Sequence, residues 1–293
     1  MSPGNPTSRQ GGPRCSILII NPNTSTHMTD ALKPIVDSLD YADVQFDYFT
    51  APATTTLGPD GKEIQGISSI NCGNDSSLSA LHCFPHIKDL LDAYDAFLVA
   101  CYSAHPLVGM LKREIGRQVH DLRKPRKYVT GIFEASVSTC LALTRDFDMA
   151  GDARMSRLAS TNTFGIVTTG ASWKEELSAA VKKMLLGDQV GDNYTLDVFA
   201  GVGTTGLTAA ELHTTPPEEV RMKITRVTSQ LIKNSKHPVA AICLGCAGMS
   251  GMDAAVREGC FDALGPVDGK NVAIVDGVVS GVGILVNACK AGF

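Results

Sequence analysis

The sequence reads as an α/β protein of two pseudo-symmetric lobes, each a parallel sheet flanked by helices, with the site in the cleft between them. Three observations support this. Continuous apolar runs of strand length recur at residues 16–20, 96–100, 128–132, 164–167, 196–200, 239–244 and 272–275; strands apolar on both faces belong to parallel sheets covered by helices on both sides. Segments of helical patterning separate these runs. Residues 17–25 precede residues 164–172 by 147 positions, while residues 97–101 and 129–135 precede residues 242–246 and 274–280 by 145 each. An offset that nearly constant points to a duplicated unit.

The elements follow in order. Residues 1–14, rich in Gly, Pro and Ser and lacking the apolar segment of a secretory signal, read as a disordered tail. The first strand ends on Asn21-Pro-Asn-Thr-Ser25, where Thr24 or Ser25 caps a helix over residues 25–39. Residues 51–79, full of Thr, Gly, Pro and Ser, are too long for a simple connection and read as a loop bordering the site. Helices are expected over residues 86–91 and 106–119, on either side of the strand that ends at Cys101. In the second half the strand at 164–167 runs into Thr168-Thr-Gly-Ala-Ser172. A helix over residues 172–186 follows, with Ser172 and Glu175 in capping-box spacing. The strand at 239–244 leads through Gly245 to Cys246. The lobes are expected to comprise residues 15–130 with 275–293, and residues 131–274.

Composition narrows the function. A chain of 293 residues with 44% hydrophobic content buries a core without staples. The net charge of −4 is spread over scattered acids and bases, which leaves no footprint for nucleic acid or an anionic membrane. No apolar run reaches the ~18–20 residues that cross a bilayer. Nine cysteines, an odd and dispersed set, read as reduced thiols of a cytoplasmic protein. A small-molecule substrate is the expected partner.

In open parallel sheets the binding crevice lies beyond the carboxyl ends of the strands. Cys101 and Cys246 each close such a strand, and the internal symmetry sets them on opposite walls. Moving a proton from one face of a carbon beside a carbonyl to the other needs a base and an acid on opposite sides of that carbon, a task that a thiolate and a thiol fulfil. A free thiol titrates near ~8.5, so N–H groups or polar neighbours must favour one thiolate. The turns at residues 23–25 and 169–172 and the N–H groups after both cysteines are suited to this and to holding an enolate oxygen.

Asn21-Pro-Asn-Thr-Ser, Ala100-Cys-Tyr-Ser, Gly131-Ile-Phe-Glu-Ala, Phe164-Gly-Ile-Val-Thr, Leu244-Gly-Cys-Ala-Gly-Met and Val275-Asp-Gly-Val-Val together resemble the hydantoin and allantoin racemase family of the aspartate/glutamate racemase superfamily. The resemblance implies racemisation of allantoin or 5-substituted hydantoins with no cofactor and no metal, in a homo-oligomer. Its catalytic cysteines fall on Cys101 and Cys246. Substrate contacts are expected from Asn23, Thr24, Tyr102, Ser103, Thr168, Thr169, Gly245 and Ala247. The run Tyr102-Ser-Ala-His-Pro106 departs from the acidic residue and glycine that the family pattern carries there, which leaves the 5-substituent open.

Rival readings attach to the same residues. Gly201-Val-Gly-Thr-Thr-Gly206 matches the dinucleotide fingerprint and would suit an oxidoreductase, although no acid follows at the end of a second strand; the plainer reading is a loop after a strand, before a helical run at 207–212. Cys243-x-x-Cys246 invites zinc or redox chemistry, but Cys72 and Cys83 make a poor second pair and Cys243 reads as core. Cys101 with His105 would make a cysteine hydrolase. A single-base decarboxylase or isomerase leaves the second cysteine without a role, as does a binding protein. His27 and His213 read as surface groups, and Glu134 either braces the lobes or touches substrate. Gly248-Met-Ser-Gly-Met lacks the serine-hydrolase elbow pattern.

Overall fold

The computed structural model describes residues 15–118, 125–144, 162–187 and 196–293, so the expected tail at 1–14 lies outside the described residues. The first sheet contains β1 (Cys15–Asn21), β2 (Val44–Thr50), β5 (Ala96–Val99) and β6 (Tyr128–Gly131), parallel throughout in the order β2-β1-β5-β6. The second contains β7 (Thr163–Thr168), β8 (Phe199–Thr204), β9 (Val239–Gly245) and β10 (Ala273–Asp276), also parallel, in the order β10-β9-β7-β8. Aligning β1, β2, β5 and β6 with β7, β8, β9 and β10 gives the same spatial order, which is the duplication that the sequence offset indicates.

Helices α1 (Thr26–Asp37), α2 (Gly73–Lys88) and α3 (Pro106–Gln118) belong to the first half, and α5 (Trp173–Leu186), α6 (Glu211–Thr214), α7 (Pro217–Asn234) and α8 (Asp253–Asn271) to the second. Two more helices cross over. α4 (Ile132–Thr144) leaves β6 of the first sheet and packs on β9 and β10 of the second, whereas α9 (Gly277–Ala291) leaves β10 and packs back on β1, β5 and β6. Their first turns meet closely: a Cβ on Gly277 would lie 2.8 Å from the Ile132 carbonyl. One apolar cluster consequently runs through both sheets, from Ile17, Ile19 and Leu98 through Phe133 and Val282 to Phe164, Ile166 and Ala241. No helix among the described residues is long and apolar enough to cross a membrane.

The structure departs from the sequence expectations in specific places. β2 alternates Val44-Gln-Phe-Asp-Tyr because it is a half-buried edge strand, so it lacks the continuous apolar run of its neighbours. Residues 51–79 are more regular than a loop: they hold the hairpin of β3 (Thr55–Leu57) and β4 (Glu63–Gln65) and the start of α2. The helix expected at 86–91 overlaps the end of α2 only over residues 86–88; the first half of α2, rich in Asn, Asp and Ser, is fixed by tertiary bonds such as Ser79 Oγ to the Pro22 carbonyl at 2.6 Å. Ser172 does not form the capping box; it lies in the αR region, and its hydroxyl donates to the Asn71 carbonyl at 2.7 Å. β8 runs from Phe199 to Thr204, so the glycine motif is strand through Gly203 and only its end, Thr205 and Gly206, lies beyond the strand. Glycines fit there because a Cβ on Gly203 would sit 2.6 Å from Val227 of α7. The helical run expected at 207–212 is reduced to the single turn of α6.

Candidate active site

Cys101 follows β5 and Cys246 follows β9, the central strands of the two sheets. Each emerges where main chain passes into a turn, and both thiols line one narrow cavity between the lobes. Its volume is about 40 Å³, and its walls also carry Asn23, Met28, Ile70, Ala100, Tyr102, Thr169, Trp173, Ala209, Gly245 and Ala247.

The local sequence explains how each thiol is held. Before Cys246 only glycine fits, since a Cβ on Gly245 would meet Thr168 Cβ at 2.7 Å and the Val167 carbonyl at 2.8 Å. The Thr168 hydroxyl donates to the Gly245 carbonyl, locking β7 to β9 just before the turn that carries Cys246. Cys246 then precedes a 3₁₀ turn (Ala247–Met249). Burial pushes its thiol up to about 11, against the pull of the Gly248 and Met249 N–H groups. At Cys101 burial pushes the thiol up to about 12, and a side-chain hydroxyl replaces the N–H groups as the opposing influence. Ser103 Oγ lies 3.6 Å from Cys101 Sγ and 3.3 Å from Ser76 Oγ of α2. Cys246, Glu134 and Cys83 add to the rise at Cys101.

Asn23 is oriented by its neighbours. Its Oδ1 accepts from Asn21 Nδ2 at 3.1 Å and from the Ser25 N–H at 2.9 Å, which leaves the amide nitrogen as the donor toward the cavity it lines. The expected substrate contacts thus divide. Asn23, Tyr102, Thr169, Gly245 and Ala247 line the cavity with both cysteines. Thr24, Ser103 and Thr168 stand behind it: the Thr24 N–H donates to Ile67, Ser103 faces the Cys101 thiol, and Thr168 is spent on Gly245. The Tyr102 side chain is buried, its ring edge to face with Phe133 and its hydroxyl 2.8 Å from Ser136 Oγ in the core.

Four cavity residues carried no sequence signal: Met28, Ile70, Trp173 and Ala209. Ile70 comes from the 66–73 stretch, which bonds to Thr24 on one side and to Ser172 on the other and so bridges the lobes over the cavity. His27 and His213 also meet across the cleft, ring centroids 5.0 Å apart and edge to face, with the His213 ring against Gly248. These side chains come together only through the two-lobe arrangement, and one-dimensional spacing does not record that.

The rival motifs find no constellation to work in. Gly201 and Gly203 lie within edge strand β8, not at a strand-to-helix turn that cradles phosphates. Cys243 turns from Cys246 into the core, its sulfur 3.2 Å from that of Cys140. Among the described residues no group of three or more His, Cys, Asp or Glu is arranged to hold a metal ion. His105 is buried, accepts the Leu107 N–H on Nδ1 at 3.3 Å, and is pushed down to about 3 by burial. Nothing hydrogen-bonds it to Cys101 as a base. Glu134 folds back over Gly131 with Oε2 buried and without a partner. Burial raises its pKa, opposed by the Glu134 and Gly131 N–H groups and by Lys112.

The profile of the Asp/Glu/hydantoin racemases matches residues 17–285. The chain belongs to that family. It is 32% identical over 274 residues to the uncharacterized protein C1F7.10 of Schizosaccharomyces pombe, covering 94% of this chain and 92% of that one. It is 27% identical over 244 residues to protein DCG1 of Saccharomyces cerevisiae, covering 80% and 83%. Among solved structures, the allantoin racemase AllR of Pseudomonas fluorescens superposes with a TM-score of 0.66 at 21% identity, over 95% of this chain and 92% of that one. The allantoin racemase of Klebsiella pneumoniae gives 0.64 at 19%, over 95% and 89%. At these identities the likeness establishes the fold. Family membership makes the two-lobed chain an enzyme of the racemase class, and its two sheets correspond to the lobes of that fold.

Proposed function

We propose that the protein racemises allantoin or a 5-substituted hydantoin at C5, with Cys101 and Cys246 exchanging acid and base roles and no cofactor taking part. The observation that carries this reading is the pair of thiols, one from each sheet, lining a single cavity with no other side chain of matching acid–base capacity on its wall. One thiolate removes the C5 proton, the electron pair moves onto the neighbouring carbonyl oxygen as an enolate, and the opposite thiol protonates C5 on its other face. The thiol and thiolate have then exchanged places, which suits the enzyme to the reverse direction. Asn23 is placed to donate to a ring carbonyl, and Thr169 with the chain at Gly245 and Ala247 shapes the ring's remaining edge. Thr24, Ser103 and Thr168 serve the site by fixing these groups. The lobes are taken as residues 15–130 with 275–293 and residues 131–274, and the enzyme as a cytoplasmic homo-oligomer.

The test is to incubate the purified protein, under reducing conditions, with enantiopure allantoin and with benzyl- and isopropyl-hydantoin, following optical rotation. Decay of rotation in at least one is expected, unaffected by chelator, abolished by thiol alkylation and protected by substrate. No decay in any, or activity lost to chelator and restored by zinc, overturns the reading.

A further inference from the structure

We propose that Ser76 of α2 is a positioning residue for Cys101, forming with Ser103 a two-hydroxyl chain that reverses direction each time the Cys101 sulfur gains or loses its proton. Four polar atoms lie in sequence: Cys101 Sγ, Ser103 Oγ at 3.6 Å, Ser76 Oγ 3.3 Å further on, and the Cys72 carbonyl at 3.3 Å from Ser76 Oγ. Ser103 and Ser76 are 4% and 2% exposed, so bulk water does not supply missing partners. Ser76 lies in the first turn of α2, where its hydroxyl reaches both the Cys72 carbonyl and a second buried hydroxyl.

Each hydroxyl has one hydrogen and can both donate and accept. With Cys101 as a thiol, S–H donates to Ser103, Ser103 donates to Ser76, and Ser76 donates to the Cys72 carbonyl. With Cys101 as a thiolate, Ser103 donates to the sulfur and Ser76 donates to Ser103. The Cys72 carbonyl keeps its bond from the Ser76 N–H at 3.1 Å, so it is not stranded. The two states differ by the one proton that the Cys101 sulfur gives up or takes on at the cavity; the two hydroxyl protons stay on their own oxygens and only rotate, so every group is bonded in both states. The thiolate state is the one in which the chain is charge-assisted, and such bonds are stronger and polarise their neighbours. Ser76 consequently favours the thiolate although it does not touch the sulfur.

The role rests on reading Cys101 as an acid–base group, but the chain can be tested without substrate or turnover. In full-length protein carrying Cys246→Ala, the iodoacetamide alkylation rate of the Cys101 peptide at pH 8–9 is followed by mass spectrometry. Well below the thiol's midpoint this rate is proportional to the thiolate fraction. Ser103→Ala is expected to lower it about tenfold and Ser76→Ala about threefold to tenfold, fold-changes matching up to one pKa unit. Ser76→Ala added to Ser103→Ala is expected to change nothing more, because the chain is already cut. Ser76→Thr, which keeps the hydroxyl, holds the rate within about twofold and shows that folding is not the cause. An unchanged rate in Ser76→Ala, equal losses with and without Ser103, or a Thr variant as slow as the Ala variant overturns the proposal. If these thiol results hold while the Cys246-intact protein racemises no hydantoin, the relay stands and the substrate reading falls.

Discussion

The two cysteines occupy equivalent ends of equivalent strands, yet the chain stabilises their charge by different means. Around Cys246 the opposing dipoles are the N–H groups of Gly248 and Met249, fixed in the backbone and able only to donate. Around Cys101 the opposing group is the Ser103 hydroxyl, which turns and can donate or accept. Fixed donors favour a thiolate and have nothing to offer a thiol, whereas a rotor serves both states. Duplication thus supplied two similar frames, and local sequence made them unequal. Under the proposed two-thiol reading, this difference makes Cys246 the expected resting base and Cys101 the expected resting acid.

The harshest way to break this comparison is to remove one sulfur at a time. Cys101→Ser and Cys246→Ser are each expected to lower kcat for racemisation by about 10²- to 10⁴-fold, the usual worth of a positioned acid or base. Polarimetry reads both directions. A variant retaining the wild-type rate would leave its cysteine without a role.

A smaller but more discriminating effect lies in pH. The proposed mechanism requires one thiolate and one thiol in the empty enzyme, and burial pushes Cys246 up to about 11 and Cys101 up to about 12. Deprotonation starts the cycle, so kcat/KM is expected to rise about tenfold per pH unit between pH 8 and 10, and to fall once both sulfurs are ionised. Peptide mapping after limited iodoacetamide treatment of the wild-type protein should show Cys246 modified ahead of Cys101. A profile flat over this range contradicts a raised thiol as the starting base, and Cys101 reacting first reverses the assignment of resting roles.

The smallest effect concerns stability on the Cys101 side, where the turn also buries His105. Its folded pKa of about 3 lies below the unfolded value of 6.5. Between those values the unfolded chain binds a proton that the folded chain refuses, so stability falls as pH drops below 6.5. At pH 5 the loss from this one group is about 2 kcal/mol. Urea titrations at pH 7 and pH 5 measure it, and His105→Gln is expected to lessen the pH dependence by that amount. An unchanged dependence would mean that the imidazole is hydrated.

Much of this arrangement was legible in the sequence, for identifiable reasons. The central strands β1, β5, β7 and β9 are apolar on both faces and end on small or polar residues, so their carboxyl ends, and with them Cys101 and Cys246, could be placed from one dimension. Two of the four edge strands were harder: β2 alternates with polar residues and β8 carries glycines against α7, whereas the edge strands β6 and β10 keep readable apolar runs. The cavity wall divides the same way. Asn23 and Thr169 follow strands and stood out, whereas Ile70, Trp173, Met28 and Ala209 are ordinary apolar residues recruited by the meeting of lobes. Ser76 was hidden for a related reason, being one serine among several in a segment whose composition resembles a loop.

The central claim, that the two sulfurs serve opposite faces of one carbon, is tested most directly by exchange in deuterated water. Each serine variant retains one thiolate able to exchange the C5 proton of the enantiomer that faces it. After subtraction of the enzyme-free exchange, nuclear magnetic resonance of each enantiomer with Cys101→Ser and Cys246→Ser should show one variant labelling mainly one enantiomer and the other variant its mirror image. Labelling of the same enantiomer by both variants would contradict the placement of Cys101 and Cys246 on opposite faces.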